Sequence, residues 1–240
     1  MIYITGDTHG LTDVLKFKGS FFPEKDKMTK NDFVLITGDF GGIWDGSERD
    51  KQTLDFFSSQ PFTTLFVDGN HENFDLLNSY PVEEWNGGKV HKIRDDIIHL
   101  MRGQVFTIEG HTYFTFGGGI SIDKLQRTEH VTWWREEFAS FREKEEGVEN
   151  LKRHNNKVDF IVTHTCPESL KNGDLSRCIS LKNVKCDTEQ YLEEIYKITD
   201  YKLWFCGHYH SDLYFEEYKL LLMYHEKLNP VALLSELDIE

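Results

Sequence analysis

The sequence predicts an α/β fold with a mixed sheet, formed as one domain over residues 1–240. Three observations support this prediction. Short apolar runs rich in valine, isoleucine and phenylalanine recur along the chain and lead into polar turns, which is typical of strands buried on both faces. Amphipathic stretches with helical spacing lie between these runs. No repeat, low-complexity tract or flexible linker divides the chain into separate domains.

The individual elements follow from these runs in chain order. Strands are predicted over residues 1–5, 33–37, 64–67, 113–116, 159–163 and 202–206. Helices are predicted over 47–59, over 133–154 with Trp134 and Phe141 on the apolar face, and over 187–198. The last of these begins with Asp187 and Gln190 at capping-box spacing. Residues 213–215 and 219–224 are expected to close the chain as a hairpin.

Charge and composition exclude several classes of protein. The chain has 27 basic and 41 acidic residues, a net charge of −14, which disfavours extended nucleic-acid binding and adsorption to anionic membranes. No run approaches the roughly 20 apolar residues that span a bilayer. A first strand that begins at Ile2 leaves no room for a signal peptide. Four cysteines without a CxxC pair form neither a disulfide framework nor a zinc clip. These features predict a soluble, cytoplasmic protein.

Acidic, amide and imidazole side chains follow five of the predicted strands, often beside glycine. Open α/β sheets bind ligands at the carboxyl ends of their strands, so these side chains are expected to meet. Taken singly, each is more typical of a turn or of a hydrogen-bonded structural residue. Together they favour a binding site, because five unrelated turns would each have to imitate a ligand-bearing loop. The seven candidate metal ligands are Asp7, His9, Asp39, Asn70, His164, His208 and His210.

Seven oxygen and nitrogen donors exceed the needs of one tetrahedral zinc site. They suit two adjacent divalent ions, with Asp39 shared between them because a carboxylate has two oxygens. The mixture of carboxylate, amide and imidazole donors fits borderline metals such as Mn²⁺, Fe²⁺ or Zn²⁺. We expect Mn²⁺ foremost, with Fe²⁺, Zn²⁺ or Ni²⁺ as alternatives.

The ordered motifs resemble those of the calcineurin-like metallophosphoesterases. They are Gly6-Asp7-Thr8-His9-Gly10, Gly38-Asp39, Gly69-Asn70-His71-Glu72, Thr163-His164 and Gly207-His208-Tyr209-His210, and the resemblance covers residues 2 to 210. It implies a two-sheet mixed β-sandwich flanked by helices, with a dinuclear metal site at the carboxyl ends of the strands. It also implies two ligand sets that share Asp39. One set is Asp7, His9, Asp39 and His210, and the other is Asp39, Asn70, His164 and His208.

The resemblance further implies a mechanism. Two ions about 3.5–4 Å apart would bind a bridging water and lower its pKa toward neutrality. The resulting metal-bridging hydroxide would attack phosphorus, and His71 would act as general acid for the departing alkoxide. The alternative role for His71 is that of an outer hydrogen-bonding residue. Glu72 or another carboxylate is a candidate to hold the tautomer of His71.

Two departures from related branches narrow the function. The phosphoprotein phosphatases continue the second motif to an Asp-Arg pair, but here Asp39 is followed by Phe40-Gly41-Gly42-Ile43-Trp44. The Gly-Asp-Phe start is similar to that of RNA lariat debranching enzymes, which commonly carry Cys where this chain has Asp7. The block 117–127 resembles a segment of uncharacterised bacterial and phage metallophosphoesterases. These comparisons favour the branch of uncharacterised bacterial and phage metallophosphoesterases.

The same block predicts a loop at the rim of the site. Lys124 and Arg127 are candidate phosphate contacts, and Trp133 or Trp134 a candidate partner for a base or ring. The alternative is a glycine-rich crossover with solvated cations and core tryptophans. The leading functional hypothesis is a metal-dependent phosphoric ester hydrolase that acts on a small phosphodiester or a nucleotide. The alternatives are a phosphomonoesterase or protein phosphatase and, less favoured, a metal-binding scaffold or an RNA-processing nuclease.

Overall fold

Two six-stranded mixed sheets form the centre of the protein, which a computed structural model describes over residues 1–178 and 184–239. The strands are β1 (Ile2–Thr5), β2 (Phe33–Ile36), β3 (Thr63–Phe66), β4 (Val82–Trp85), β5 (Gly88–Arg94), β6 (Ile97–Leu100), β7 (Gln104–Ile108), β8 (His111–Phe116), β9 (Lys157–Thr163), β10 (Asp200–Cys206), β11 (Leu213–Phe215) and β12 (Leu220–Leu222). The first sheet has the order β1-β2-β3-β6-β5-β4, and the second has the order β11-β12-β10-β9-β8-β7.

Helices pack around the two sheets. They are α1 (Glu48–Ser58), α2 (Phe74–Leu77), α3 (Phe141–Arg153), α4 (Glu168–Asn172), α5 (Asp187–Ile198) and α6 (Pro230–Glu236). Short 3₁₀ turns occupy Val14–Phe17, Gly19–Phe21, Pro23–Lys27, Lys124–Gln126, Arg135–Glu137, Asp174–Arg177 and Glu216–Tyr218. The architecture confirms the α/β prediction of two mixed sheets flanked by helices.

The apolar runs form strands because both of their faces are covered. In β2, Leu35 packs between the sheets with Phe160 and Leu203 of the second sheet. Its neighbours Val34 and Ile36 point to the opposite face and pack in a separate cluster under the α1 side. Alternation with period 2 therefore places every residue of the run in a core, and the run carries no polar positions.

The structure corrects two helix predictions. The stretch 133–154 is not one helix, because Ser140 starts α3 with a capping box in which it pairs with Glu143. Phe141, expected on the apolar face, is 79% exposed. The capping box expected for α5 is also absent, because Cys186 occupies the cap position without a side-chain bond. Asp187 instead forms an ion pair with Lys144.

The other predicted elements agree with the structure. Ser47 caps α1 by accepting a hydrogen bond from the Arg49 amide, and β11 and β12 pair as the expected antiparallel hairpin. Strands β4 to β7 and the short helices α2, α4 and α6 were not predicted. The β4 and β5 strands have a charged, partly exposed pattern, whereas β6 and β7 are short and largely buried. Within the described residues no helix is long and apolar enough to cross a membrane.

Candidate metal centre

The candidate ligands meet where parallel strands of both sheets end at a common edge. β1, β2 and β3 deliver the loops of Asp7, Asp39 and Asn70, while β9 and β10 deliver those of His164 and His208. A hydrogen bond from His164 Nδ1 to the Thr37 carbonyl, 2.9 Å long, joins the two sheets at this edge. The structure therefore brings all seven predicted residues together.

Two buried carboxylates lie at the centre of the cluster. The two oxygens of Asp39 face different imidazoles: Oδ1 lies 3.4 Å from His164 Nε2, and Oδ2 lies 3.4 Å from His9 Nε2. Asp7 Oδ2 lies 3.1 Å from His210 Nε2, and Asp7 Oδ1 lies 3.9 Å from His164 Nδ1. Two groups of three side chains could each hold a metal ion: Asp7, His9 and His210, and Asp7, Asp39 and His164. Within each group the ligand atoms lie within 4.8 Å of one another.

The orientation of the donors fits a divalent cation. His164 Nδ1 donates to a carbonyl, so the lone pair of Nε2 in the neutral imidazole faces Asn70 Oδ1 at 3.1 Å. The Asn70 amide nitrogen donates to Ser121 Oγ, which turns its oxygen toward His164. His208 Nε2 is buried without a hydrogen-bond partner among the described residues. Facing lone pairs and an unpartnered buried nitrogen are what a bound cation would satisfy.

The backbone around the cluster is strained in the manner of a functional site. His9, Asp39, His208 and His210 all have positive φ, at 45°, 47°, 67° and 49°. A Cβ added at Gly69 would lie 2.0 Å from Asp39 Oδ1, so only glycine lets this loop approach the carboxylate. The donor types, the packing and the backbone all suit a metal centre.

The electrostatics of the cluster also favour cations. Burial alone would raise the pKa of Asp39, but electrostatic interaction with the His164 and His71 imidazoles holds that pKa well below its usual range. Burial opposes charge on His9 as well, yet the Asp39 carboxylate raises the pKa of His9 to about 9. Burial and His164 lower the pKa of His208 to about 3, so its imidazole is neutral. Protons on imidazoles thus balance the carboxylates, and metal ions would displace them.

A second layer of residues holds the imidazoles. Asp13 Oδ2 accepts a 2.8 Å hydrogen bond from His9 Nδ1, and Asp13 Oδ1 accepts a 3.2 Å bond from the Tyr224 hydroxyl. The Tyr224 ring stacks on His210, with centroids 4.6 Å apart and planes at 7°. The buried ammonium of Lys16 donates to the carbonyls of Gly6, Asp7 and Tyr224. Asp13, Lys16 and Tyr224 are not among the residues predicted from the sequence; the four-residue spacing of His9 and Asp13 was the available signal.

A buried ion pair supports the loop that carries Asn70. Arg102 Nη2 donates to Asp68 Oδ2 at 2.6 Å, and His99 Nε2 lies 3.1 Å from Asp68 Oδ1. His99 Nδ1 is 3.1 Å from His91 Nδ1, and the two rings are stacked. When both imidazoles are neutral, one of these Nδ1 atoms carries a proton and donates it to the other. Burial and the neighbouring His99 lower the pKa of His91 to about 4.

His71 lies beside the cluster with its backbone fixed by the site. Its amide donates to Asp39 Oδ1 at 2.8 Å, and its ring centroid is 6.0 Å from that of His9. Arg127 Nη1 lies 3.4 Å from His71 Nδ1. Glu72, a candidate partner for His71, instead accepts a 2.7 Å bond from the Phe40 amide. His71 Nδ1 therefore faces the Arg127 guanidinium and not the Glu72 carboxylate.

The predicted rim residues separate in the structure. A cavity of about 340 Å³ is lined by candidate ligands, by His71 and Arg127, and by residues 120–123. Arg127 is held there by Asp123 and by the Thr132 carbonyl. Lys124 does not line this cavity; its ammonium lies 4.8 Å from the centre of the Phe138 ring. Trp134 is fully buried and donates to Asp75, so it belongs to the core.

This fold and this cluster of donor side chains are those of a two-sheet α/β protein with a candidate metal centre. The sequence model of the calcineurin-like phosphoesterase family matches residues 1–212, and the chain belongs to that family. The family and the class of enzyme predicted from the sequence are thereby confirmed.

Individual relatives are more distant. The chain is 24% identical over 233 residues to a lariat debranching enzyme of Schizosaccharomyces pombe, with 87% of this chain and 47% of that protein aligned. A solved Staphylococcus aureus structure described as a 5′-nucleotidase is similar with a TM-score of 0.45 and 16% identity, over 93% of this chain and 48% of that one. The phosphopantetheinyl hydrolase of Mycobacterium tuberculosis gives a TM-score of 0.39 and 13% identity, over 93% and 87%. The chain thus spans about half the length of the first two proteins.

Proposed function

We propose that this protein hydrolyses a phosphodiester or nucleotide-type substrate with two divalent metal ions, Mn²⁺ foremost. The observation that carries the proposal is that seven donor residues, two of them buried carboxylates, converge from five strand ends. When bound, such ions supply an activated water nucleophile at neutral pH and neutralise charge on the phosphoryl oxygens.

In the proposed centre, each ion has its own set of residues and Asp39 belongs to both. Asp7, His9 and His210 complete one set, and Asn70, His164 and His208 complete the other. Asp39 suits the shared position because its two oxygens face His9 and His164, one from each set. Both oxygens of Asp7 also lie within 3.2 Å of the His208 amide nitrogen, which fixes that carboxylate at the base of the site.

His71 is the proposed general acid. The Arg127 guanidinium beside Nδ1 is a donor only, so a neutral His71 directs the lone pair of Nδ1 toward it and carries its proton on Nε2. To act as the acid, this ring would first take up a second proton; the imidazolium would then give its Nε2 proton to the leaving oxygen of the ester as the P–O bond breaks, and the ring would return to a neutral form. Arg127 has a second role, because its positive charge lies at the wall of the cavity where phosphoryl oxygens bind.

A phosphomonoesterase is the second candidate. The Asp-Arg pair of the phosphoprotein phosphatases is missing after Asp39, but Arg127 brings a guanidinium to the cavity from another loop. A single guanidinium suits a dianionic phosphate as well as a diester.

Hydrolysis of matched aryl phosphate mono- and diesters, with Mn²⁺ and after chelation, tests the proposal. We expect metal-dependent turnover that favours the diester. His71→Ala is expected to lower kcat by about 10²- to 10⁴-fold with unchanged metal content, because it removes only the proton donor. His111→Gln, at the far end of β8, is the matched control. Preference for the monoester would favour the second candidate, and no turnover by a chain holding two metals would contradict both.

A further inference from the structure

A second cavity adjoins the metal centre on the side of His71. It has a volume of about 340 Å³, and we call it the Trp44 cavity after the indole in its wall. His9 and His71 line both cavities, and Trp44, Asp45 and Arg49 line only the second. Its volume lies within the range of small-molecule sites, which begins at about 300 Å³.

Three independent contacts hold Trp44 in place. The buried Asp50 carboxylate accepts a 2.7 Å hydrogen bond from the Trp44 amide, and it also binds the next two amides of the loop. Asn73 Nδ2 donates to the Trp44 carbonyl at 2.6 Å. The Trp44 ring packs against Trp134 at 80°, with centroids 5.3 Å apart. A half-buried indole that is fixed at backbone and ring, and still lines a cavity, is a preorganised surface for a planar group.

The position of His71 assigns a role to this cavity. A general acid must lie within hydrogen-bond reach of the leaving oxygen, so the leaving group starts at His71. The metal cavity beyond His71 holds the candidate ligands and Arg127, which suit the phosphoryl oxygens. The Trp44 cavity shares His9 and His71 with the metal cavity, so it offers a leaving group at His71 a place to extend.

The charges in the Trp44 cavity suit an uncharged ring better than a second phosphate. Asp45 and Arg49 are exposed groups of opposite sign at its wall. The charge of Asp50 is directed to three backbone amides, so this carboxylate is satisfied within its own loop. No positive excess is therefore present in this cavity, in contrast to the wall that carries Arg127.

We propose that the Trp44 cavity binds the leaving group of the substrate, and that this group is a nucleoside whose base stacks on Trp44. The inference rests on the proposed function, because it takes its direction from His71 as the proton donor. It adds an orientation: the nucleoside leaves toward Trp44, and the part of the ester that keeps the phosphate lies toward Arg127.

Two substrates that differ only in the base test this orientation. The methyl phosphodiesters of adenosine at O5′ and of ribose at O5 release the same primary hydroxyl, so their leaving groups match in acidity. In the Mn²⁺-loaded protein we expect kcat/KM for release of adenosine to exceed that for ribose by about tenfold or more, the effect of one stacked base. Trp44→Ala should abolish this preference, because it lowers kcat/KM for the adenosine ester toward the value for the ribose ester.

Three further variants complete the design. Trp44→Phe should restore part of the preference, because a smaller ring still stacks. Trp85→Ala, which removes another half-buried indole in β4 of the first sheet, should keep the full preference. Arg127→Ala should lower kcat/KM for both esters by similar factors. Equal turnover of both esters by the wild type, or a preference that persists in Trp44→Ala, would overturn the proposal while the proposed function stands.

A binding measurement separates the two proposals if neither ester is hydrolysed. Calorimetric titration of the Mn²⁺-loaded protein with adenosine should show binding that Trp44→Ala loses and Trp85→Ala keeps. That result would support the nucleoside site although the proposed function had failed. No binding of adenosine to the wild type would overturn the site as well.

Discussion

Removing the carboxylate of Asp13 should weaken metal binding although no proposed metal ligand is substituted. Asp13 Oδ2 accepts a 2.8 Å hydrogen bond from His9 Nδ1, which fixes the ring so that Nε2 faces the cluster. In Asp13→Ala the imidazole loses its orientation and the negative charge that raises its basicity. We therefore expect the protein to bind Mn²⁺ more weakly.

The size of this effect follows from the contact. A hydrogen bond to a charged group contributes about 1.5–3 kcal/mol, and 1.4 kcal/mol corresponds to a factor of about ten in affinity. The dissociation constant for Mn²⁺ should thus rise by about 10- to 100-fold, in the range observed for residues behind metal ligands. Tyr224→Phe keeps the ring on His210 and removes only the hydroxyl bound to Asp13, so its effect should be smaller.

Calorimetric titration of the metal-free protein with Mn²⁺ gives the affinity directly. Asp26→Ala, which removes an exposed carboxylate from the 3₁₀ turn Pro23–Lys27, is the matched control. Circular dichroism establishes that each variant is folded. An affinity of folded Asp13→Ala within about twofold of the wild type, against the 10- to 100-fold expected, would refute the assigned role of Asp13.

Other perturbations give equally direct readouts. Gly69→Ala should abolish binding of at least one ion, because its Cβ would lie 2.0 Å from Asp39 Oδ1. The control is Gly19→Ala, whose Cβ meets nothing within 4 Å and which should bind metal normally. Metal analysis of both variants measures the difference. In chelated protein, the free energy of unfolding should fall as pH falls from about 6.5 to about 4, because His91 takes up a proton in the unfolded chain before it does so in the folded protein. The loss should reach about 2–3 kcal/mol in urea titrations and be reduced in His91→Gln, and an equal loss in both proteins would exclude His91 as its source. Chelation should lower Tm, because ions bind only the folded site and contribute about 2.7 kcal/mol at a hundred times their dissociation constant; an unchanged Tm would contradict this.

The sequence was sufficient to predict that the seven donor side chains meet, because its signals are local. Each candidate ligand directly follows a strand, and parallel strands deliver their ends to one edge whatever the details of the packing. Trp134 was harder to place, because a tryptophan beside a glycine-rich loop has the same pattern whether it faces a cavity or the core. The structure resolves this by burying Trp134 and leaving Trp44, against which it packs, in the cavity wall.

Long-range contacts were beyond the reach of the pattern. Tyr224 reaches the centre because it follows β12, which pairs beside β10 in the second sheet, and nothing near Tyr224 in the sequence indicates a metal. The start of α3 was missed because charged residues on both sides of Ser140 gave a continuous helical pattern, and the capping box then decided the boundary. Strand positions follow from local composition, but contacts between distant segments depend on the assembled tertiary structure.

The hydrogen bond between the His208 amide and Asp7 joins residues 201 positions apart. During synthesis on the ribosome, Asp7 therefore stays without this partner until the segment that carries His208, 201 positions later, has been made. Closing so long a segment is slow and is rewarded only when both sheets have docked. If metal ions bind as proposed, they would stabilise only chains long enough to include His208, His210 and the Tyr224 ring. The proposed centre would then report on the docking of both sheets as well as serving as the proposed site of chemistry.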